Sequence, residues 1–369
     1  MRIAFRVDAS LQIGTGHVMR CLTLADALRE QGALCTFICR PHAGHLLELL
    51  AQRGHKSLAL SKPQANFNAP ADPAHAVWLG ASWDDDAEQT LLALGQQKVD
   101  WLVVDHYALD ARWEEAIRPL AKCIMVIDDL ADRPHSCDLL LDQNLGRKKA
   151  DYDGLLKGKT TTMVGPQYAL LRPEFVALRS QSLARRQSNT HLRRLLVTMG
   201  GVDKENATGQ VLAALQSCNL LADLRVTVVM GPHAPWLAQV QALAAQMPWP
   251  TEVLVGVRNM AQLMAESDLA IGAAGSTSWE RCCLGLPTIQ VVLAQNQEAI
   301  AQSLSQVGAA LMLQGKAIEQ TLPSLISAVA SAEKLDAVTL AASGVTDGYG
   351  ASLVCDFMKA EDENHGLVQ

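Results

Sequence analysis

The chain has 369 residues, 49% of them apolar, and a formal net charge of −7. That is enough apolar material for two buried cores, and an acidic balance that speaks against binding nucleic acid or an anionic membrane. Its nine cysteines are odd in number, form no C-x-x-C and fall mostly in apolar runs, which argues for reduced, buried thiols over a disulfide framework or zinc site.

The first predicted strand, Ile3–Val7, is interrupted by Arg6 and followed by Asp8, a pattern that no secretory leader shows. No uninterrupted apolar run would span a bilayer, so a soluble, cytoplasmic protein is expected. After Asp8 and Ser10 comes a loop with Gly14 and Gly16, then His17 and a helical pattern over 17–30. A strand, a glycine turn and a helix start make an anion-binding corner. His17 places a titratable imidazole at its mouth. The loop is not a dinucleotide fingerprint, because position 19 is Met and the second strand ends at Cys39-Arg40 without an acid. Nor is it a P-loop, since no Gly-Lys-Ser/Thr follows.

Further strands are predicted at Leu34–Cys39, Ser57–Leu60, Trp101–Val104, Ile124–Ile127 and Leu139–Leu141, with helices near 44–53, 84–96 and 110–118. The alternation is that of a doubly wound parallel sheet. Residues 61–80, with Pro63, Pro70 and Pro73, read as a long surface loop and a candidate lid. Asp105, His106 and Tyr107, and then Asp128 and Asp129, end strands and would face the same side as Asp8 and His17. Paired acids there suit metal or acid–base work, or equally a helix cap or structural charge pair. Asp84–Asp86 follow Ser82 and read as acids at a helix start. His55, His75 and His233 read as scattered surface residues. The basic stretch Arg179–Arg194 reads as a solvated linker rather than an anion patch.

The rhythm then restarts. Leu195–Met199 is a predicted strand ending in Gly200-Gly201, with a helix over 204–216 and strands at Arg225–Met230, Val253–Val255, Leu269–Ile271 and Thr288–Val292. Gly275-Ser276-Thr277 opens a helix after Leu269–Ile271 and suits a diphosphate, with Glu280 one turn on and able to take ribose hydroxyls. A capping box would make the same pattern. Asn296 and Gln297 follow the last strand as candidates for sugar hydroxyls, or as an ordinary polar helix start. Gly348-Tyr349-Gly350 precedes a terminal helix to Met358, with residues 360–369 expected to fray. The expected fold class is α/β, two doubly wound Rossmann-like domains facing a cleft, with boundaries at 1–178 and 190–346 and a terminal helix and tail at 347–369.

Taken together, Arg6-x-Asp8-x-Ser10-x-x-Ile13-Gly14-x-Gly16-His17-x-x-Arg20-Cys21, Asp105-His106-Tyr107, Asp128-Asp129-Leu130-Ala131 and Asp142-Gln143-Asn144 are specific in combination. So are Tyr168 through Phe175, Gly200-Gly201-x-Asp203-x-x-Asn206, Gly275-Ser-Thr-x-Trp-Glu280 and Asn296-Gln297. The set resembles the UDP-2,4-diacetamido-2,4,6-trideoxy-β-L-altropyranose hydrolases of pseudaminic acid biosynthesis, along nearly the whole chain and with no departure at the motif positions. The resemblance implies a GT-B fold, similar to that of the peptidoglycan N-acetylglucosamine transferase, and hydrolysis of a UDP-sugar with no metal and no cofactor. It implies that Gly200, Gly201, Ser276 and Thr277 hold the diphosphate, Glu280 the ribose and the backbone at Asn259 and Met260 the uracil. Gly14, Gly16, Arg20, Asn296 and Gln297 complete the substrate contacts, and the sugar faces His17, Asp105 and Tyr107. Asp8 is expected to orient His17 as a base. A monomer with no nucleic-acid or membrane partner is expected. A glycosyltransferase acting on a similar UDP-sugar, or a nucleotide-sugar-binding protein without activity, are the alternatives.

Overall fold

The computed structural model describes residues 1–65, 67–95, 98–188 and 191–366. It divides into two units: Met1–Leu170 with Tyr349–Gln369, and Leu171–Gly348. The break falls at Leu170, ahead of the expected 178–190, and the terminal helix belongs to the first unit rather than standing apart.

Unit 1 holds β1 (Arg2–Val7), α1 (Gly16–Glu30), β2 (Leu34–Cys39), α2 (Leu47–Gln52), β3 (Lys56–Ala59), α3 (Trp83–Leu94), β4 (Val99–Asp105), α4 (Ala111–Ile117), β5 (Ala121–Ile127), β6 (Leu139–Asp142) and β7 (Thr161–Val164). The strands form one sheet in the order β3-β2-β1-β4-β5-β6-β7, and every pairing is parallel. β1, β4 and β5 are buried on both faces, which is why they read as near-continuous apolar runs. Phe5, Val7, Trp101 and Val103 pack with α1 on one face, while Ala4, Leu102 and Val104 pack with Trp113 of α4 on the other. Ser82 caps α3 through the amide of Asp85, as the acid-rich helix start suggested.

Unit 2 opens with α5 (Pro173–Ser188) and continues through β8 (Arg194–Thr198), α6 (Ala207–Leu215), β9 (Arg225–Met230), α7 (Leu237–Ala244), β10 (Thr251–Val255), α8 (Met260–Glu266), β11 (Leu269–Ala273), α9 (Thr277–Cys283), β12 (Thr288–Val292), α10 (Glu298–Gln306), β13 (Leu311–Gln314), α11 (Ile318–Val329) and α12 (Ala332–Ser343). Its sheet runs β10-β9-β8-β11-β12-β13, again all parallel. The basic stretch read as a solvated linker is helix from Arg179 to Ser188. Arg186 is buried and donates to the carbonyls of Met264, Ser267 and Leu284. Arg179 does the same for Cys283, Ser343 and Thr346. These arginines satisfy carbonyls at helix ends, so neither a linker nor an anion patch describes them. Asn189 and Thr190 of that stretch lie outside the described residues.

The chain then returns to unit 1 as α13 (Gly350–Gly366), which extends beyond Met358 where fraying was expected. Val354, Cys355 and Met358 join the core under α1, and Trp101 Nε1 donates to the Met358 carbonyl at 3.1 Å. Residues 367–369 lie outside the described residues. All nine cysteines are unbridged and eight are buried. Among the described residues no helix is long and apolar enough to cross a membrane.

Candidate active site

In a parallel sheet the loops beyond the carboxyl ends of the strands carry ligand chemistry. In unit 1 the first such loop is a tight turn. The Gly14 amide donates to the Ser10 carbonyl at 2.8 Å, and Ser10 Oγ accepts from the amides of Gln12 and Ile13. Gly14 has φ +83° and nothing near its Cβ position, so the turn needs glycine for its backbone angle. Gly16 begins α1, and Thr15, ahead of it, gives the helix no side-chain cap. That turn sets His17 in the first turn of α1, its side chain 11% exposed.

On the neighbouring strand, β4 ends at Asp105. Its carboxylate takes His17 Nδ1 at 2.6 Å and two N–H groups of Arg20, one turn along α1, at 2.7 Å each. Burial works against the charge on Asp105. Arg20, with His17, overrides burial and holds the carboxyl well below the usual carboxylate range. An ionised Asp105 on Nδ1 keeps the proton on that nitrogen and leaves Nε2 as the acceptor. Arg20 reaches on to Asp129 at 2.8 Å, and Tyr107 Oη donates to the same carboxylate at 2.6 Å. The Tyr107 ring meets His17 edge-on, with centroids 4.6 Å apart. The structure therefore brings His17, Arg20, Asp105 and Tyr107 into one group and adds Asp129.

Asp8 is not in that group. It is fully buried and held by two bonds from Arg6, at 2.7 and 2.9 Å, and by the Arg40 amide at 2.6 Å. Asp86 closes the same cluster by pairing with both Arg6 and Arg40 and accepting from Trp113 Nε1. So Asp86, in the first turn of α3 as expected, is also a buried core charge, and Asp105, not Asp8, orients His17. The reason is strand alternation. Val7 sits in register with Asp105, so Asp105 shares the α1 face, while Arg6 and Asp8 fall on the opposite face.

The two acids after β5 also part company. Asp128 is buried against Arg133, Tyr152 and the Ala131 amide, a structural role. Asp129 faces Arg20 and Tyr107. Asn144 bridges Asp129 to Asp142 with bonds of 3.1 and 2.9 Å. Burial and the charge of Asp129 push the Asp142 carboxyl up to about 7. Sequence reading placed His75 among scattered surface residues and did not mark Trp78. They sit at the 3₁₀ turn Ala76–Leu79; Trp78 stacks on Tyr107 and His75 lies tilted against it, with centroids 5.7 and 5.4 Å away. Part of the proline-containing loop is thus packed onto this group. His55, likewise read as a surface residue, is buried and bonded to Asp26. Among the described residues no group of three or more metal-ligating side chains is gathered.

The strand ends of unit 2 look different. Gly200, with φ +89°, and Gly201 are exposed after β8. A Cβ on Gly231 would lie 1.9 Å from the Gly201 carbonyl, so the turn after β9 presses directly on this loop. Asp203 and Asn206 spend their side chains on the amides of Ala207, Thr208 and Gly209, which closes the α6 N-terminus to a ligand. Beyond β11 the loop through Gly275 leads to α9, whose N-cap Ser276 makes no side-chain bond. The capping-box alternative is therefore not what forms. Glu280 instead lies 3.5 Å from Arg172, a partner that sequence reading did not name, and burial raises its carboxyl. Asn259 is exposed ahead of α8, with Met260 its first residue. Asn296 is exposed, while Gln297 Oε1 accepts the Leu293 amide at 2.9 Å and so shapes the loop after β12.

Residues 194–347, most of unit 2, match the family model of the Glycosyltransferase family 28 C-terminal domain. A UDP-2,4-diacetamido-2,4,6-trideoxy-β-L-altropyranose hydrolase of Campylobacter jejuni is 25% identical over 308 residues, covering 84% of this chain and 97% of that protein. An uncharacterized protein of Methanocaldococcus jannaschii is 27% identical over 307 residues, 80% of this chain, and the match spans 56% of that protein's length. The crystal structure of Acinetobacter baumannii MurG superposes with a TM-score of 0.68 at 18% identity, covering 97% of this chain and 99% of that one. The resemblance read from the motifs stands, and the chain has an α/β fold of two Rossmann-like domains of the GT-B type.

Proposed function

We propose that this chain hydrolyses UDP-2,4-diacetamido-2,4,6-trideoxy-β-L-altropyranose at the anomeric C–O bond, with inversion, and releases UDP and the free sugar. The observation that carries the reading is His17, placed by a glycine turn at the strand ends and bonded through Nδ1 to an ionised, buried Asp105. The imidazole is thereby oriented with Nε2 available as a base. His17 Nε2 takes a proton from water, the water oxygen bonds to the anomeric carbon, and the electron pair of the C–O bond leaves with the β-phosphate. Arg20, Asp129 and Tyr107 hold the group rigid and line the sugar side, with Gly14 and Gly16 allowing close approach.

Unit 2 holds the nucleotide in this reading. The Gly200-Gly201 and Ser276-Thr277 loops meet the diphosphate with backbone and hydroxyl donors, which need no metal. Glu280 takes the ribose, and the backbone at Asn259 and Met260 the uracil. Asn296 and Gln297 stand at the sugar end. The relative named as this hydrolase supports the substrate. The family 28 match supports a glycosyltransferase as the second reading.

One assay separates them. The protein is incubated with the UDP-sugar in EDTA and no acceptor, and UDP is followed by chromatography. Steady UDP release supports the hydrolase. Release only on adding a sugar or lipid acceptor supports the transferase, and binding without turnover in either case leaves a nucleotide-sugar-binding protein.

A further inference from the structure

Unit 2 carries a cation that these assignments leave unused. Arg281, the residue after Glu280 in α9, is 1% exposed. Its Nη1 donates to Thr277 Oγ1 at 3.2 Å, and its Nη2 to the Ala273 carbonyl at 2.8 Å and Ser278 Oγ at 3.1 Å. None of these acceptors is charged. Glu280, the adjacent acid, acts on Arg281 through charge alone and takes its hydrogen bond from Arg172. Arg281 Nε has no hydrogen-bond partner among the described residues. Burial lowers the guanidinium to about 10, so it keeps its charge at neutral pH. A buried cation bonded only to neutral groups is costly unless an anion completes it.

The surroundings fix where that anion would act. Gly272 makes room for the side chain: a Cβ there would lie 2.7 Å from Arg281 Nη1 and 2.9 Å from the Thr198 carbonyl. Thr198 ends β8, two residues before Gly200, so Gly272 brings the guanidinium close to the strand end that leads into the other glycine loop. Ser278 Oγ accepts from Gln290 Nε2 at 2.9 Å as well as from Arg281, which anchors the guanidinium to β12. A hydroxyl has a single proton. Because Thr277 Oγ1 already accepts from a cation, its own hydrogen is directed away from Arg281 and is available to donate.

We propose that Arg281 is a positioning residue for the nucleotide diphosphate: it fixes Thr277 as a hydrogen-bond donor to a phosphate oxygen and supplies the positive charge behind the 273–277 loop. This rests on the reading of unit 2 as the nucleotide domain and deepens it.

Calorimetric titrations of UDP and of uridine test it, with wild type, Thr277→Val, Arg281→Gln and the double variant. Wild type binds UDP more tightly than uridine. Each single variant weakens UDP by about tenfold or more, the scale of a charge-assisted hydrogen bond, and leaves uridine affinity unchanged. The double variant binds UDP no more weakly than Arg281→Gln, since Thr277 acts through Arg281. Unchanged UDP affinity in either single variant, parallel loss of uridine, or fully additive losses would overturn the proposal. Should Arg281→Gln not fold, Arg281→Lys decides it: lysine keeps the charge but not the planar fork that fixes Thr277, so UDP affinity must still fall while uridine affinity holds. A wild type that binds no UDP would instead sink the nucleotide reading itself.

Discussion

The two units lay out their strands alike and finish them differently. In each sheet the first strand lies third from one edge, with the next two on one side and the fourth on the other. Unit 1 ends those strands in charge. Asp8, Asp105, Asp128, Asp129 and Asp142 are paired with Arg6, Arg20, Arg133 and Arg147 through short bonds. Unit 2 ends its strands in glycine, serine and threonine, with exposed backbone at Gly200 and Gly201 and the Arg281 charge buried. The contrast teaches that this strand order supplies positions, and that side chains at the strand ends decide between chemistry and binding. A rigid charged lattice holds one imidazole in one orientation, while in the proposed reading small residues let a ligand's anion reach the main chain.

The contrast breaks most directly at His17. His17→Ala should lower turnover by about two to four orders of magnitude, the scale of losing a general base, with UDP affinity unchanged. Steady-state rates and UDP titration check it, and near-normal turnover would remove the base assignment. Asp8→Asn acts on the other face of the same strand. It leaves the buried Arg6 charge without one of its acids and should cost about 3–5 kcal/mol of stability. Urea unfolding would show this, while the folded fraction keeps its kcat; a selective loss of kcat would return Asp8 to the chemistry.

In unit 2 a single residue should matter less. Glu280→Ala should weaken UDP by about 1–3 kcal/mol, and a uracil nucleotide lacking ribose hydroxyls should bind variant and wild type alike. A variant with normal UDP affinity and a lowered melting temperature would make Glu280 only a helix residue. The smallest effect sharpens the picture of the lattice. The Asp142 carboxyl is raised to about 7 from about 3.9 when unfolded. Its folded form thus binds the extra proton, and its contribution to stability falls as pH rises from about 4 to about 7. Asp142→Asn removes that loss, so the melting-temperature difference, variant minus wild type, should grow more positive from pH 5 to pH 8. A constant or shrinking difference would contradict the raised carboxyl.

Much of this was legible in the sequence. Strands buried on both faces write themselves as apolar runs, which is how β1, β4, β5, β8 and β12 were found. β7 and β13, four-residue edge strands each paired on one side only, were passed over, although β3, equally short and also at an edge, was found. α5 was half hidden because its arginines are buried by carbonyls contributed from about 80 to 170 positions away, partners that no local pattern records. The site divides the same way. The glycine turn and His17 are local and were plain, as were Asp105 and Tyr107 as strand-end residues. Which acid meets the histidine depended on register between β1 and β4, and one step along a strand moves a side chain to the other face. Arg172 stood in the Tyr168–Phe175 motif without a role, and Arg281 gave no signal, because their value lies in what they pack against.

The central claim is attack by water at carbon, and oxygen isotope labelling tests it most directly. The UDP-sugar is turned over in ¹⁸O-enriched water, and the products are read at once by NMR and mass spectrometry. The account predicts ¹⁸O on the anomeric carbon of the free sugar, none in UDP, and an initial product of inverted configuration. Label in a phosphate, with cleavage at phosphorus, would contradict it.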